Sequence, residues 1–331
     1  MKRLLLVVLL AGCSADEPAV QVPADPVVVY ASYADKTYLP ARLSRFTRET
    51  GVAVIVRHAG REAIVDDLIA DEIKPPADVI ITRSVRGVTR AADEGALRPI
   101  PQQTIPDSIR GSFRDADGFW VALAYRVPVI VYDTRVGDLP VPASLEALAG
   151  ERYRGRLCLS SADNLVNRTV IATLINERGV RPAELLVRGW VANLVTTDLD
   201  DEAELLQAIE SGRCAVGIAS STAFLHATQG NADSMTAAVM PAGAGIDVEA
   251  AGIGRHARNP DGAAAVIAWL LGDEFQREHS AATLQSPASD AVRDRAAGLV
   301  PFDRTAISTG ATDIAWADED AVRLAERARF P

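Results

Sequence analysis

The stretch FWVALAYRVPVIVYD, residues 119–133, decides how the rest of the chain is read. It is too long and too apolar for one ordinary strand, so it reads as a crossing between two folded units. Upstream, strands at 27–30, 52–56 and 78–82 alternate with helices at 39–50, 62–72 and 85–94. Leu39, Leu43 and Phe46 fall on one helical stripe that Gly51 ends, Ile64, Val65, Leu68 and Ile69 form a second stripe, and Gly95 closes the third helix. This alternation specifies a parallel, doubly wound sheet with right-handed crossovers. Downstream the alternation restarts. GRLCLSSADNLVNRT (155–169) is a buried strand running into the polar start of a helix that reaches about 176; a helix at 183–193, a strand at 194–197, an acid-started helix at 201–211 and a strand at 214–219 follow. A strand-like run at 235–240 and PAGAGID make the return crossing, and 260–284 gives two helices that pack on the first unit. The expected fold class is α/β, two doubly wound lobes joined by two crossings around a cleft that can close. The first lobe is expected to comprise 27–121 and 240–298, the second 122–239 and 299–331.

The amino terminus, MKRLLLVVLLAGCS, carries two cations, an apolar run too short to span a bilayer, and small residues closing on a cysteine. It reads as a lipoprotein signal peptide over 1–13, with Cys13 diacylated as the mature terminus, followed by a Pro- and Ala-rich acidic tether at 14–26. The expected product is an exported lipoprotein of the periplasm, held to a membrane by lipid. The remaining chain of about three hundred residues suits two domains. Apolar residues make up 48% and charged residues 24%, and no later apolar run reaches the roughly eighteen residues of a spanning helix. Net charge is −10 and the 34 Lys and Arg are scattered, which argues against a nucleic-acid partner. Once Cys13 carries lipid, Cys158 and Cys214 are the remaining thiols in an oxidising compartment, and a disulfide between two strand segments of one lobe is expected, with two buried thiols as the alternative.

Enzyme signatures are missing from the sequence. His58, His226, His256 and His279 lie at no metal spacing, no G-x-S-x-G or H-E-x-x-H occurs, and Gly243-Ala244-Gly245 follows no strand–helix nucleotide pattern. A non-enzymatic protein without a cofactor is expected. Ser160, Ser161, Asp163 and Asn164 read as helix-capping residues that leave backbone N–H groups directed at an oxyanion, although a plain N-cap accounts for them equally well.

VYASY (29–33), FTRETGVAVIV (46–56), PPADVIITRS (75–84), EGAL (94–97), the 119–133 segment, YRGRLCLSSADNLVNRT (153–169), SGRCAVGIASSTAF (211–224) and SPAS (286–289) together resemble the periplasmic ferric-ion-binding receptors of ABC importers. The resemblance covers about 28–330 and implies the two-lobed, periplasmic-binding-protein-like fold. It also implies a monomeric receptor that hands its solute to a membrane permease, and a cysteine pair like that of Cys158 and Cys214. Where that family has a paired tyrosine binding Fe³⁺, this sequence has Thr222 and Ala223; the family's first-lobe histidine corresponds to Ala34, and a carboxylate ligand of some members to Arg83. Hard Fe³⁺ favours anionic oxygen, so these exchanges remove and invert the charge of such a site.

The expected cargo is therefore a small oxyanionic solute, phosphorylated or carboxylated. Arg83 and Arg126 are expected to clamp it, Ser32, Ser161, Asn164 and Thr222 to supply neutral hydrogen bonds, Tyr33 and Tyr125 to supply flat surfaces, and Asp163 to bind a hydroxyl or amine. The alternatives are a ferric or ferric-chelate receptor using Tyr33, Tyr125 and an outside anion, or a sensor reporting to a signalling partner.

Overall fold

The structure, a computed structural model, describes residues 25–32, 37–58, 60, 63–137, 139–140, 142, 144–228, 236–237, 245–292 and 309–331. Cys13 and Tyr33 lie outside them. The strands are β1 (Val27–Ala31), β2 (Val54–His58), β3 (Val79–Thr82), β4 (Leu97–Arg98), β5 (Trp120–Arg126), β6 (Pro128–Tyr132), β7 (Leu157–Cys158), β8 (Val216–Ser220), β9 (Thr236–Ala237), β10 (Asp247–Gly254) and β11 (Ser286–Pro287). The helices are α1 (Tyr38–Thr50), α2 (Ala63–Ile69), α3 (Val85–Asp93), α4 (Leu165–Arg178), α5 (Val180–Asn193), α6 (Glu202–Glu210), α7 (Ser221–Ala227), α8 (Pro260–Leu270), α9 (Asp273–Thr283), α10 (Ala311–Trp316) and α11 (Asp318–Ala328).

Two sheets result, in the orders β11-β5-β10-β3-β1-β2, with β4 beside β10, and β7-β8-β6-β9. The first begins as the sequence implies: β1 pairs in parallel with β2 and β3, and all five β1 side chains are buried. Such a strand is covered by helices on both faces and reads as a continuous apolar run. Leu39, Leu43 and Phe46 form the buried stripe of α1, and Gly51 ends it in the left-handed conformation at φ +76°.

Neither sheet is purely parallel, which corrects the expected topology. β10 runs antiparallel to both β3 and β5, and β6 antiparallel to both β8 and β9. The reason is the crossing. Residues 119–133 form two strands, β5 in the first sheet and β6 in the second, with Val127 between them, so the sheet change falls later than residue 121. A chain that leaves the first sheet at the end of β5 and returns through β10 re-enters at the same edge, with Asp247 beside Arg126, and an antiparallel pair forms. The expected strand at 194–197 is also absent: α5 runs to Asn193, and Leu194 makes a single bridge to Leu157. With Val195 37% exposed, that segment has no second apolar face to bury.

In the second sheet β7 and β8 lie so close that a Cβ on Gly217 would sit 2.7 Å from the Cys158 carbonyl oxygen. Glycine is required by that approach. Cys158 and Cys214 are joined in a disulfide with Cα atoms 5.8 Å apart, cross-linking β7 to the segment that enters β8. The C-terminal helices belong with this sheet: α11 packs on α4 and α5, while α10 touches both α4 and α3 of the first lobe.

Candidate functional site

Between the lobes lies a cavity of about 760 Å³. The first lobe contributes Tyr38 from the start of α1, Arg83 just after β3, Arg126 from the end of β5, Asp247 and Glu249 from β10, and Gln285 before β11. The second contributes Ser161, Asp163 and Asn164 ahead of α4, Asp200, Asp201 and Glu202 at the start of α6, and Ser220, Thr222 and Ala223 where β8 passes into α7. Strand ends and helix starts gather there because an α/β lobe leaves its loops at one edge of the sheet.

Six of the expected ligand residues line this cavity: Arg83, Arg126, Ser161, Asp163, Asn164 and Thr222. Ser32 lines a smaller neighbouring cavity. Tyr125 belongs to the core, fully buried with its ring 5.0 Å from that of Phe113. Successive side chains on a strand point to opposite faces, so placing Arg126 towards the cleft turns Tyr125 away from it.

The expected arginine clamp is corrected as well. In the antiparallel β5/β10 pair Arg126 stands directly opposite Asp247, and its guanidinium donates to Asp247 Oδ2 and to the Arg83 carbonyl oxygen. Ser84 Oγ donates to the other Asp247 oxygen at 2.7 Å. Burial by itself lowers the Arg126 pKa, but the adjacent Asp247 charge and hydrogen bond outweigh it, and the net direction is upward. This arginine is neutralised in place. The start of α4 is likewise partly satisfied, since Asn164 Oδ1 accepts from the Val166 N–H at 3.2 Å and Ser161 Oγ from the Asp163 N–H at 3.3 Å. Thr222 differs: its buried hydroxyl has no hydrogen-bond partner among the described residues, and the same holds for Thr169.

Most of the site's charge went unassigned in the sequence reading. Among the described residues six carboxylates line the cavity, Asp163, Asp200, Asp201, Glu202, Asp247 and Glu249, against two arginines and His226. Asp201 caps α6 by accepting from the Glu204 N–H at 2.9 Å, and its neighbour Glu202 reaches across to accept the Ser220 N–H. Burial pushes the Glu202 pKa up, against the lowering effect of those Ser220 hydrogen bonds and of Arg126. Glu249 sits in a buried chain, with His279 Nε2 3.1 Å away and Gln285 Nε2 donating at 3.0 Å, while His279 Nδ1 is 2.9 Å from the Tyr38 hydroxyl. Burial drives the Tyr38 phenol up to about 12, so it lines the cavity as a neutral group. The run Asp200-Asp201-Glu202 was the available signal, but an acidic helix start explains itself by capping and dipole. The carboxylates are spread around the walls. Among the described residues no three His, Cys, Asp or Glu are gathered closely enough to hold a metal ion.

Two α/β lobes facing each other across a polar cavity define a ligand-capturing receptor. A family model described as bacterial extracellular solute-binding protein matches residues 74–302, and the chain belongs to that family. "Iron uptake protein A1" of Synechocystis is 23% identical over 283 residues, 81% of this chain and 78% of that protein. The "Fe(3+)-binding periplasmic protein" of Serratia marcescens is 21% identical over 196 residues, 59% and 57% of the two chains. Among solved structures, the Trichodesmium (IdiA) (FutA) protein in complex with iron and citrate ligands superposes with a TM-score of 0.84 at 22% identity, over 92% of this chain and all of that one. The Bordetella ferric binding protein gives 0.82 at 23%, over 92% and 99%. At these identities the superpositions establish the fold, the two-lobed periplasmic-binding-protein-like α/β architecture.

Proposed function

We propose that this protein is the periplasmic capture component of an ABC importer for ferric iron, taken up as a chelate with a small polycarboxylate and handed to a membrane permease. The observation that carries this reading is the cleft's charge: among the described residues, six carboxylates against two arginines, one of which is already held by Asp247. A free oxyanion, the cargo expected from Arg83 and Arg126, would meet that excess of negative charge at close range. A trivalent, oxygen-seeking cation is matched to it. The names of the relatives from Synechocystis and Serratia point the same way.

The dispersed carboxylates favour a chelate over a bare ion. A metal whose coordination is partly filled by its own organic anion needs fewer converging protein ligands, and the cavity of about 760 Å³ accommodates such a complex. In this arrangement Arg83 meets a carboxylate of the chelator, Thr222 and Thr169 donate to its oxygens, and Asp163, Asp200 and Glu202 face the metal side. Cys13, outside the described residues, would tether the receptor by lipid.

The test is titration of the chelator-stripped protein with ferric citrate, followed by tryptophan fluorescence and by native mass spectrometry for bound iron. Saturable uptake of one iron complex per chain is the expected outcome. Binding of citrate or phosphate alone, with no preference for the iron-loaded form, would return the cleft to an anion site.

A further inference from the structure

Beside the cleft, and sharing Arg83 and Leu165 with its lining, lies a second cavity of about 440 Å³ between α3 of the first lobe and α4, α10 and α11 of the second. Its electrostatics are the reverse of the cleft's. Arg86 on α3 projects a guanidinium whose Nη1 and Nη2 are both buried and without a hydrogen-bond partner among the described residues. Asp318 Oδ1 is 3.2 Å from Nη1, close enough for an ion pair, but the same carboxylate already takes Nε and Nη2 of Arg168. Two guanidinium groups therefore share one carboxylate. The other acid that Arg86 senses, Asp247, is engaged by Arg126 and Ser84. Among the described residues the cavity's lining carries four arginines, Arg83, Arg86, Arg90 and Arg168, to three acids, Asp93, Asp318 and Glu319, of which Asp93 accepts from Trp316 Nε1 and Glu319 pairs with Arg323.

A guanidinium removed from water without acceptors for its N–H groups is costly, and a planar fork of donors matches a tetrahedral oxyanion. Thr89 adds a buried hydroxyl that also lacks a partner among the described residues and lines the same cavity. We propose that this cavity binds a small oxyanion, inorganic phosphate or sulfate, on Arg86 and Thr89, and that the bound anion completes the charge balance of the Arg86–Asp318–Arg168 cluster joining the lobes. Arg86 and Thr89 lie outside the cleft's lining, and their anion site does not depend on what the cleft carries.

The test uses the full chain, stripped of metal and dialysed into chloride buffer, and titrated calorimetrically with inorganic phosphate and separately with sulfate at constant ionic strength. Wild-type protein is expected to bind one anion saturably, and Arg86→Gln to weaken it about ten- to a hundredfold, the loss of a charge-assisted hydrogen bond. Thr89→Val should weaken it several-fold, while ferric citrate titrates Arg86→Gln as it does the wild type. No saturable anion binding by the wild type would overturn the proposal, as would binding that is unchanged in Arg86→Gln and lost in Arg83→Gln, which would place the anion in the cleft. Should Arg86→Gln fail to fold, Arg86→Lys keeps the charge without the fork; unchanged affinity in both Arg86→Lys and Thr89→Val would equally reject the site.

Discussion

The two walls of the cleft carry charge in different ways. On the first lobe both acids are buried and held by neighbours, Asp247 by Arg126 and Ser84, Glu249 by Gln285 with His279 Nε2 3.1 Å away. On the second lobe Asp163, Asp200 and Asp201 are exposed and have no ion-pair partner among the described residues, while Glu202 is half-buried. Burying an ion pair costs desolvation that its attraction barely returns, but removing one partner is expensive. The first wall is thus fixed in composition and geometry, whereas the second presents carboxylates held in water, where they lose little on meeting a cation. One wall keeps its shape and the other supplies the attraction.

The difference can be broken most forcefully at Asp247. Asp247→Asn leaves Arg126 buried beside a neutral group and is expected to destabilise the protein by about 3–5 kcal/mol in urea unfolding. Pairing it with Arg126→Met should recover most of that loss, and a double variant as unstable as the sum of the singles would show that the two residues do not act as a pair. On the second lobe the comparable structural element is the disulfide. The Cys158→Ser, Cys214→Ser variant is expected to lose roughly 2–5 kcal/mol; equal melting temperatures for wild type and variant would contradict this.

Smaller effects should follow at the exposed acids, and of another kind. Asp163→Asn and Asp200→Asn are each expected to change stability by less than about 0.5 kcal/mol while weakening ferric citrate about tenfold. An affinity unmoved by either would remove the second wall from the site.

Glu202 tests the boundary between these behaviours. Its carboxyl pKa is raised, chiefly by burial. The favourable contribution of the protonated form is therefore complete below the unfolded-state pKa and is lost as pH rises through the higher folded-state value. Glu202→Gln cannot lose a proton, so its melting temperature relative to wild type should climb over that interval and level off above it, while iron-chelate binding falls at neutral pH. A constant offset across the pH range would show that the Glu202 charge is not strained.

Much of the fold was legible because local patterns impose it. The stripe of Leu39, Leu43 and Phe46 needs only a 3.6-residue period, the buried run of β1 only a short apolar segment, and the acidic start of α6 only an N-cap at Asp201. The same locality misled at 194–197, where residue types suited to a strand are left without a sheet to cover, and at the topology, because strand direction is set by where the chain re-enters. Thr222 and Asn164 could be placed at the cleft from strand–helix junctions. The fate of Arg126 could not.

By itself the sequence determined two α/β lobes, the crossing between them and the family to which the chain belongs, all of which follow from periodicity and from motifs spaced along the chain. Tertiary structure alone decided the sign of the cleft. Arg126 and Asp247 are 121 residues apart and meet because the β5/β10 register sets them opposite one another, the alternation of that strand sends Tyr125 into the core, and Asp200 to Glu202 reach the cavity only when α6 docks beside β8. Electrostatic effect depends on distance and burial, and neither is fixed until separate segments pack.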